Sequence, residues 1–177
     1  MIDSNIFLEH KKNKQWYYLG NVVSDIKFTL VDLIRLIRSH PNDKEVVFYD
    51  HKQSIELQQI QSRGSLPRFA KDVLNQLREI YKQKHITLIA FSGYGVDSKS
   101  FNIHKDKMDV IYLQVYGEII WSVWESDKPI AEIQPEQGTC VFKQKFVCGD
   151  MIYIPAGTFH HVEHLDKPRI GFSFGNK

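Results

Sequence analysis

The sequence predicts a mainly β protein with helices at its N-terminal end, a barrel or jelly roll with the helices packed on its sheet. Three observations predict it. Apolar residues recur at helical spacing in two segments before residue 85. After that point the period shortens, and eight short β-type segments follow one another at roughly ten-residue spacing. The 177 residues are 42% apolar and 12% aromatic, which suits a single globular core rather than disorder.

The first helical segment covers residues 28–39. Phe28, Val31, Leu33, Ile34, Leu36 and Ile37 fall at mixed three- and four-residue spacing, and Thr29 with Asp32 has the form of a capping box. His40-Pro41 would stop it, because the residue before proline disfavours the helical region. Residues 45–50 read as a short strand. Residues 66–84 carry Leu66, Phe69, Ala70, Val73, Leu74, Leu77, Ile80 and Tyr81, the clearest amphipathic stripe in the chain, with Pro67 suited to the first turn. The β segments are 85–95, 101–106, 110–117, 119–125, 139–147, 150–156, 160–165 and 169–175, separated by Gly, Pro, Asp and Lys. Residues 1–85 are thus expected as a helical portion and 86–177 as a β core, together one domain, since neither portion is large enough to bury a core alone.

Several function classes are excluded. A formal charge of +2, from 23 basic and 21 acidic residues, gives no strong nucleic-acid signal. No apolar run approaches the roughly 20 residues needed to span a bilayer. The first twenty residues lack the basic-then-apolar order of a signal peptide. Two cysteines, Cys140 and Cys148, are too few for a disulfide framework or a thiolate zinc site, so a cytoplasmic protein with reduced thiols is expected.

Two segments carry chemistry. In Phe101-Asn102-Ile103-His104-Lys105-Asp106, alternation along a strand would project His104 and Asp106 together. The run Gly149 to His160 reads as a turn, a strand, and a Pro155-Ala156-Gly157 turn that presents His160 at the head of the next strand. An isolated His-x-Asp is commonly a surface pair. The longer second run makes a metal site the better reading. Two histidines and one carboxylate occupy one face of an octahedral ion and leave three positions open, the pattern of non-heme Fe(II) oxygenases.

Gly149 to His160 resembles the second cupin motif. His104-x-Asp106-x2-Asp109-Val110-x3-Gln114-x2-Gly117-x3-Trp121 resembles the core of the JmjC-type cupins, most of all the ribosomal oxygenase group, and the similarity spans residues 86–175. The resemblance implies a double-stranded β-helix. It also implies Fe(II) as metal, held by His104, Asp106 and His160, 2-oxoglutarate and O₂ as cosubstrates, and hydroxylation or demethylation as the reaction. A germin-type site would need a glutamate where Val110 and Ile111 stand, which disfavours a three-histidine manganese centre.

One departure stands out. In these relatives a Lys or Arg on the strand after the glycine grips the far carboxylate of 2-oxoglutarate, and here that position is Ile119. Losing one partner of a buried ion pair costs about 3–5 kcal/mol. Arg169, nine residues after His160 at the start of the last segment, offers a two-pronged substitute of the kind prolyl-hydroxylase-like relatives use; an exposed arginine after a turn is the other reading. Lys145, with Lys143 on the same face, is a second choice, against the reading of both as solvated surface lysines, which is preferred. Asn102 is a candidate to touch cosubstrate or substrate, an ordinary strand asparagine being the other reading, and Tyr112 and Ser173 are weaker candidates to line the pocket. Gln114 and Trp121 match the family and also suit core packing. His161 and His164 read as bystanders, and Asp150 as part of a turn.

The sequence therefore points to an Fe(II)/2-oxoglutarate-dependent hydroxylase acting on a peptide side chain or a small molecule. The alternative is a metal-binding cupin without 2-oxoglutarate turnover. The last segment runs nearly to residue 177, so the further domains of ribosomal oxygenases are not expected in this chain. Nothing in the sequence gives the oligomeric state.

Overall fold

The structure, a computed structural model, describes residues 2–39, 46–49, 54–60, 66–94, 101–125, 139–165 and 167–176. The chain begins with α1 (Ser4–Lys12), β1 (Tyr17–Leu19), α2 (Leu30–Arg38), β2 (Val46–Tyr49), β3 (Ser54–Leu57) and α3 (Arg68–Tyr81). Seven strands follow: β4 (Thr87–Gly93), β5 (Asp109–Tyr116), β6 (Ile119–Glu125), β7 (Thr139–Phe146), β8 (Met151–Ile154), β9 (Phe159–His164) and β10 (Arg169–Asn176).

Local chemistry accounts for the helix ends. Asp3 caps α1, its carboxylate accepting from the N–H groups of Asn5 and Ile6. Thr29 and Asp32 form the expected reciprocal capping box at the start of α2. Pro67 sits at the N-cap of α3 rather than inside its first turn. The His40-Pro41 stop lies outside the described residues.

The strands form two antiparallel sheets. The larger has the order β1-β8-β5-β10-β4-β3-β2, the smaller β7-β6-β9. Alternation along each strand gives the large sheet two different faces. Ile111, Leu113 and Val115 of β5, Leu88 and Ala90 of β4, and Ile170, Phe172 and Phe174 of β10 face outward and join one core with Leu33 and Leu36 of α2 and Ala70, Val73, Leu74 and Leu77 of α3. The inner face packs on the small sheet through a second core that includes Val110, Tyr112, Ile119, Trp121, Val123 and Phe146. The mainly β fold with helices on its sheet is therefore as the sequence predicts, and the two facing sheets are those of a double-stranded β-helix.

Three details differ from expectation. Residues 101–106 do not form a strand; an isolated bridge between His104 and His160 is all that stands there. Residues 1–85 hold more strand than expected: β2 answers to the strand predicted at 45–50, but β1 and β3 are additional, and the three lengthen the large sheet at both ends. Val31 and Ile34 of α2 point to solvent, while Leu33 and Leu36 are buried. Among the described residues, no helix is long and apolar enough to cross a membrane.

Candidate metal centre and its cavity

The bridge between His104 and His160 is a reciprocal pair of main-chain hydrogen bonds, 3.1 Å and 2.9 Å long. It places two distant stretches side by side at the mouth of the space between the sheets. The turn before His160 is closed by Gly157, whose φ of +85° suits a residue without a Cβ. The Gly157 N–H donates to the carbonyl of Asp106 at 2.9 Å, which fastens the turn to the other stretch.

His104, Asp106 and His160 converge as a result. One ligand atom from each lies within 4.8 Å of the other two, close enough to share an ion. His160 Nε2 is 3.5 Å from Asp106 Oδ2, and the two imidazole rings are 4.3 Å apart. Both histidines are oriented by a main-chain carbonyl two residues earlier. His104 Nδ1 lies 2.8 Å from the Asn102 carbonyl, and His160 Nδ1 lies 3.0 Å from the Thr158 carbonyl. A carbonyl only accepts, so each Nδ1 carries the proton and each Nε2 presents a lone pair. Burial and the neighbouring His104 lower the His160 pKa, and this favours the neutral form that binds metal. Two such imidazoles and a carboxylate fit a divalent ion with coordination positions left over.

Behind the three ligands lies a cavity of about 250 Å³. Trp121 stacks on His160 with rings 5.4 Å apart and forms one wall, and Phe91, Met108 and Val110 add apolar surface. Arg169 also lines it, buried to 5% exposure, so it is no surface arginine. Arg169 hydrogen-bonds Tyr112, whose hydroxyl donates to Gln114 Oε1 at 2.8 Å, and the Gln114 amide donates to the Tyr116 carbonyl at 2.7 Å. Burial raises the Tyr112 pKa and lowers that of Arg169, and each group partly offsets the shift of the other. A planar guanidinium stays charged even so.

The other expected residues divide. Tyr112 and Ser173 line the cavity. Ile119 is fully buried in the apolar core between the sheets and is not among the lining residues. Lys145 is a correction: it lies on the exposed side of β7, 3.4 Å from Glu118, and does not reach the cavity. Lys143 pairs with Glu163 on the same outer surface. Asn102 is exposed, and what it gives the site is its carbonyl rather than its side chain. His161 is half-buried near Trp124 and does not line the cavity, whereas the His164 side chain lies outside the described residues. Asp150 braces its turn, accepting from the N–H groups of Asn21 and Val147 at 2.9 Å. Sequence reading missed Ser54 and Glu56, which β3 brings to the cavity wall. The segment Ser54-Ile55-Glu56-Leu57 does alternate polar and apolar residues, but over only four positions, too few to mark a strand on their own.

Residues 67–177 match the family model of the JmjC domain. The chain belongs to the JmjC domain family. Among solved structures, this JmjC domain is similar to YcfD, a ribosomal oxygenase from Escherichia coli, in complex with cobalt and 2-oxoglutarate. The identity is 18% and the TM-score 0.67, over 100% of this chain and 52% of that one. It is also similar to SnoK, a non-heme α-ketoglutarate-dependent carbocyclase from nogalamycin biosynthesis, at 9% identity and TM-score 0.68, over 95% and 81% of the two chains. SnoN, an epimerase from the same biosynthesis, matches at 13% identity and TM-score 0.66, over 97% and 81%. What is shared at such identities is the fold. The chain spans about half the length of the ribosomal oxygenase it matches. No curated protein sequence matches it.

Proposed function

We propose that this JmjC domain is an Fe(II)- and 2-oxoglutarate-dependent oxygenase that hydroxylates a protein side chain or a small molecule. One observation carries the reading: three ligand atoms within 4.8 Å of one another, both imidazoles turned by main-chain carbonyls so that Nε2 is free, at the mouth of a cavity that also holds a buried arginine. His104, Asp106 and His160 would hold the iron. Fe(II) with bound 2-oxoglutarate supplies O₂ activation and attack on a C–H bond.

The protein's own part is binding and orientation. Arg169 takes the place of the basic residue missing at Ile119. Its guanidinium, aimed by the hydrogen bond with Tyr112, would receive the far carboxylate of 2-oxoglutarate in two-pronged fashion. The apolar wall of Phe91, Met108, Val110 and Trp121 keeps that ion pair away from water and strengthens it. Strands β1, β2 and β3 complete the same sheet, which supports reading residues 1–177 as one domain.

Under anaerobic conditions with Fe(II), admission of O₂ should convert 2-oxoglutarate to succinate, and Asp106→Ala should abolish the conversion. The buried Ile119 favours a second reading, a metal-binding cupin without 2-oxoglutarate turnover. Calorimetry separates the two, since only the first predicts that the metal-loaded protein binds 2-oxoglutarate.

A further inference from the structure

We propose that Asp109 and Lys11 form a positioning pair that holds both ligand-bearing stretches of the metal centre in register. The inference rests on the metal-centre reading above. Asp109 is the first residue of β5, three residues after Asp106, and Ala156 lies four residues before His160. Asp109 Oδ1 accepts from the Ala156 N–H at 3.0 Å. In the adjoining bond, the Gly157 N–H reaches the Asp106 carbonyl at 2.9 Å. One carboxylate thus ties the stretch that carries His104 and Asp106 to the turn that presents His160.

The other carboxylate oxygen is held separately. Lys11 Nζ lies 2.6 Å from Asp109 Oδ2, and the Tyr153 hydroxyl also hydrogen-bonds this carboxylate. The pair is largely shielded, with side-chain exposures of 32% for Lys11 and 16% for Asp109. The Lys11 ammonium is itself seated 4.3 Å over the Tyr81 ring, at the end of α3. The charge-assisted bond on Oδ2 opposes rotation of the carboxylate and so keeps Oδ1 on the Ala156 N–H. Lys11 belongs to α1, and the match to the JmjC model begins at residue 67. The N-terminal helix is therefore part of the support for the metal centre, although it supplies no ligand. Groups hydrogen-bonded to metal ligands typically alter metal affinity about 10- to 100-fold when removed; this pair acts one bond further out, on the main chain that carries the ligands.

The test is an anaerobic Co(II) titration of the wild type, Lys11→Met, Lys11→Arg and Asp109→Asn, read by the visible Co(II) bands and by calorimetry. Melting of each metal-free protein is followed alongside. Lys11→Met and Asp109→Asn should bind Co(II) about 10- to 100-fold more weakly, with altered band shapes, and Lys11→Arg should restore most of the affinity. A purely structural role would lower the metal-free melting point and leave the Co(II) bands as they are. Wild-type affinity and wild-type bands in Lys11→Met would overturn the proposal while leaving the metal centre intact. Absence of Co(II) uptake by the wild type would overturn the metal-centre reading itself, and the positioning pair with it.

Discussion

Tyr112 occupies the space that a side chain on Gly171 would need. Gly171 pairs with Gln114 and Tyr112 with Ser173, so the tyrosine ring reaches diagonally over the glycine, where a Cβ on residue 171 would collide with its ring and hydroxyl. The contact sits where the pairing of β5 and β10 shifts register, between Ile170 and Gly171. It lets the Tyr112 hydroxyl lie flat on the sheet, between Gln114 and Arg169.

Gly171→Ala should therefore displace Tyr112 and loosen Arg169. Overpacking of this kind costs about 1–3 kcal/mol, or roughly 2–12 °C in melting temperature for a chain of this size. Thermal unfolding followed by circular dichroism measures it. An unchanged melting curve would mean that the tyrosine has room to move aside.

Arg169→Ala should weaken 2-oxoglutarate binding to the Co(II)-loaded protein by about 10- to 150-fold. That is the loss of a hydrogen-bonded charge worth about 1.5–3 kcal/mol. Calorimetry reads it directly. Equal affinity in the variant would remove this arginine from the cosubstrate site.

Metal addition should stabilise the protein. An ion that binds only the folded chain, at one hundred times its dissociation constant, adds about 2.7 kcal/mol. The melting point should rise by roughly 5–11 °C on that basis, and a chelator should reverse the rise. His104→Ala and His160→Ala should melt at the same temperature with and without Co(II). A full shift in either variant would count against these ligands.

Lys145→Ala should leave 2-oxoglutarate affinity unchanged and alter stability by no more than about 1 kcal/mol, as for other exposed ion pairs. Calorimetry and a thermal melt on the same preparation check both. A clear loss of affinity would bring β7 into the site, against its exposed pairing with Glu118.

Much of the fold was legible because it is written in short-range patterns. The capping box at Thr29, the apolar stripe of α3 and the turn residues around Gly149 and Gly157 act on neighbours in the chain. Residues 101–106 form no strand, contrary to the sequence expectation, yet His104 and Asp106 still converge. Main-chain bonds to His160 and Gly157 bring the two side chains together in place of strand alternation. Lys145 is open to two readings in the sequence. Alternation says which residues share a face but not which face turns inward, and pairing with Ile120 puts Lys145 on the outside.

From the amino-acid order alone came the mainly β fold class and the three candidate ligands, which depend on residue type and local spacing; the gap at Ile119 shows only against the pattern of the JmjC relatives that the sequence resembles. The burial of Arg169 beside Tyr112, the arrival of Glu56 at the cavity wall and the reach of Lys11 to Asp109 came from packing. Each joins residues far apart in the chain, and such contacts exist only once the strands have paired and the helices have docked on the sheet.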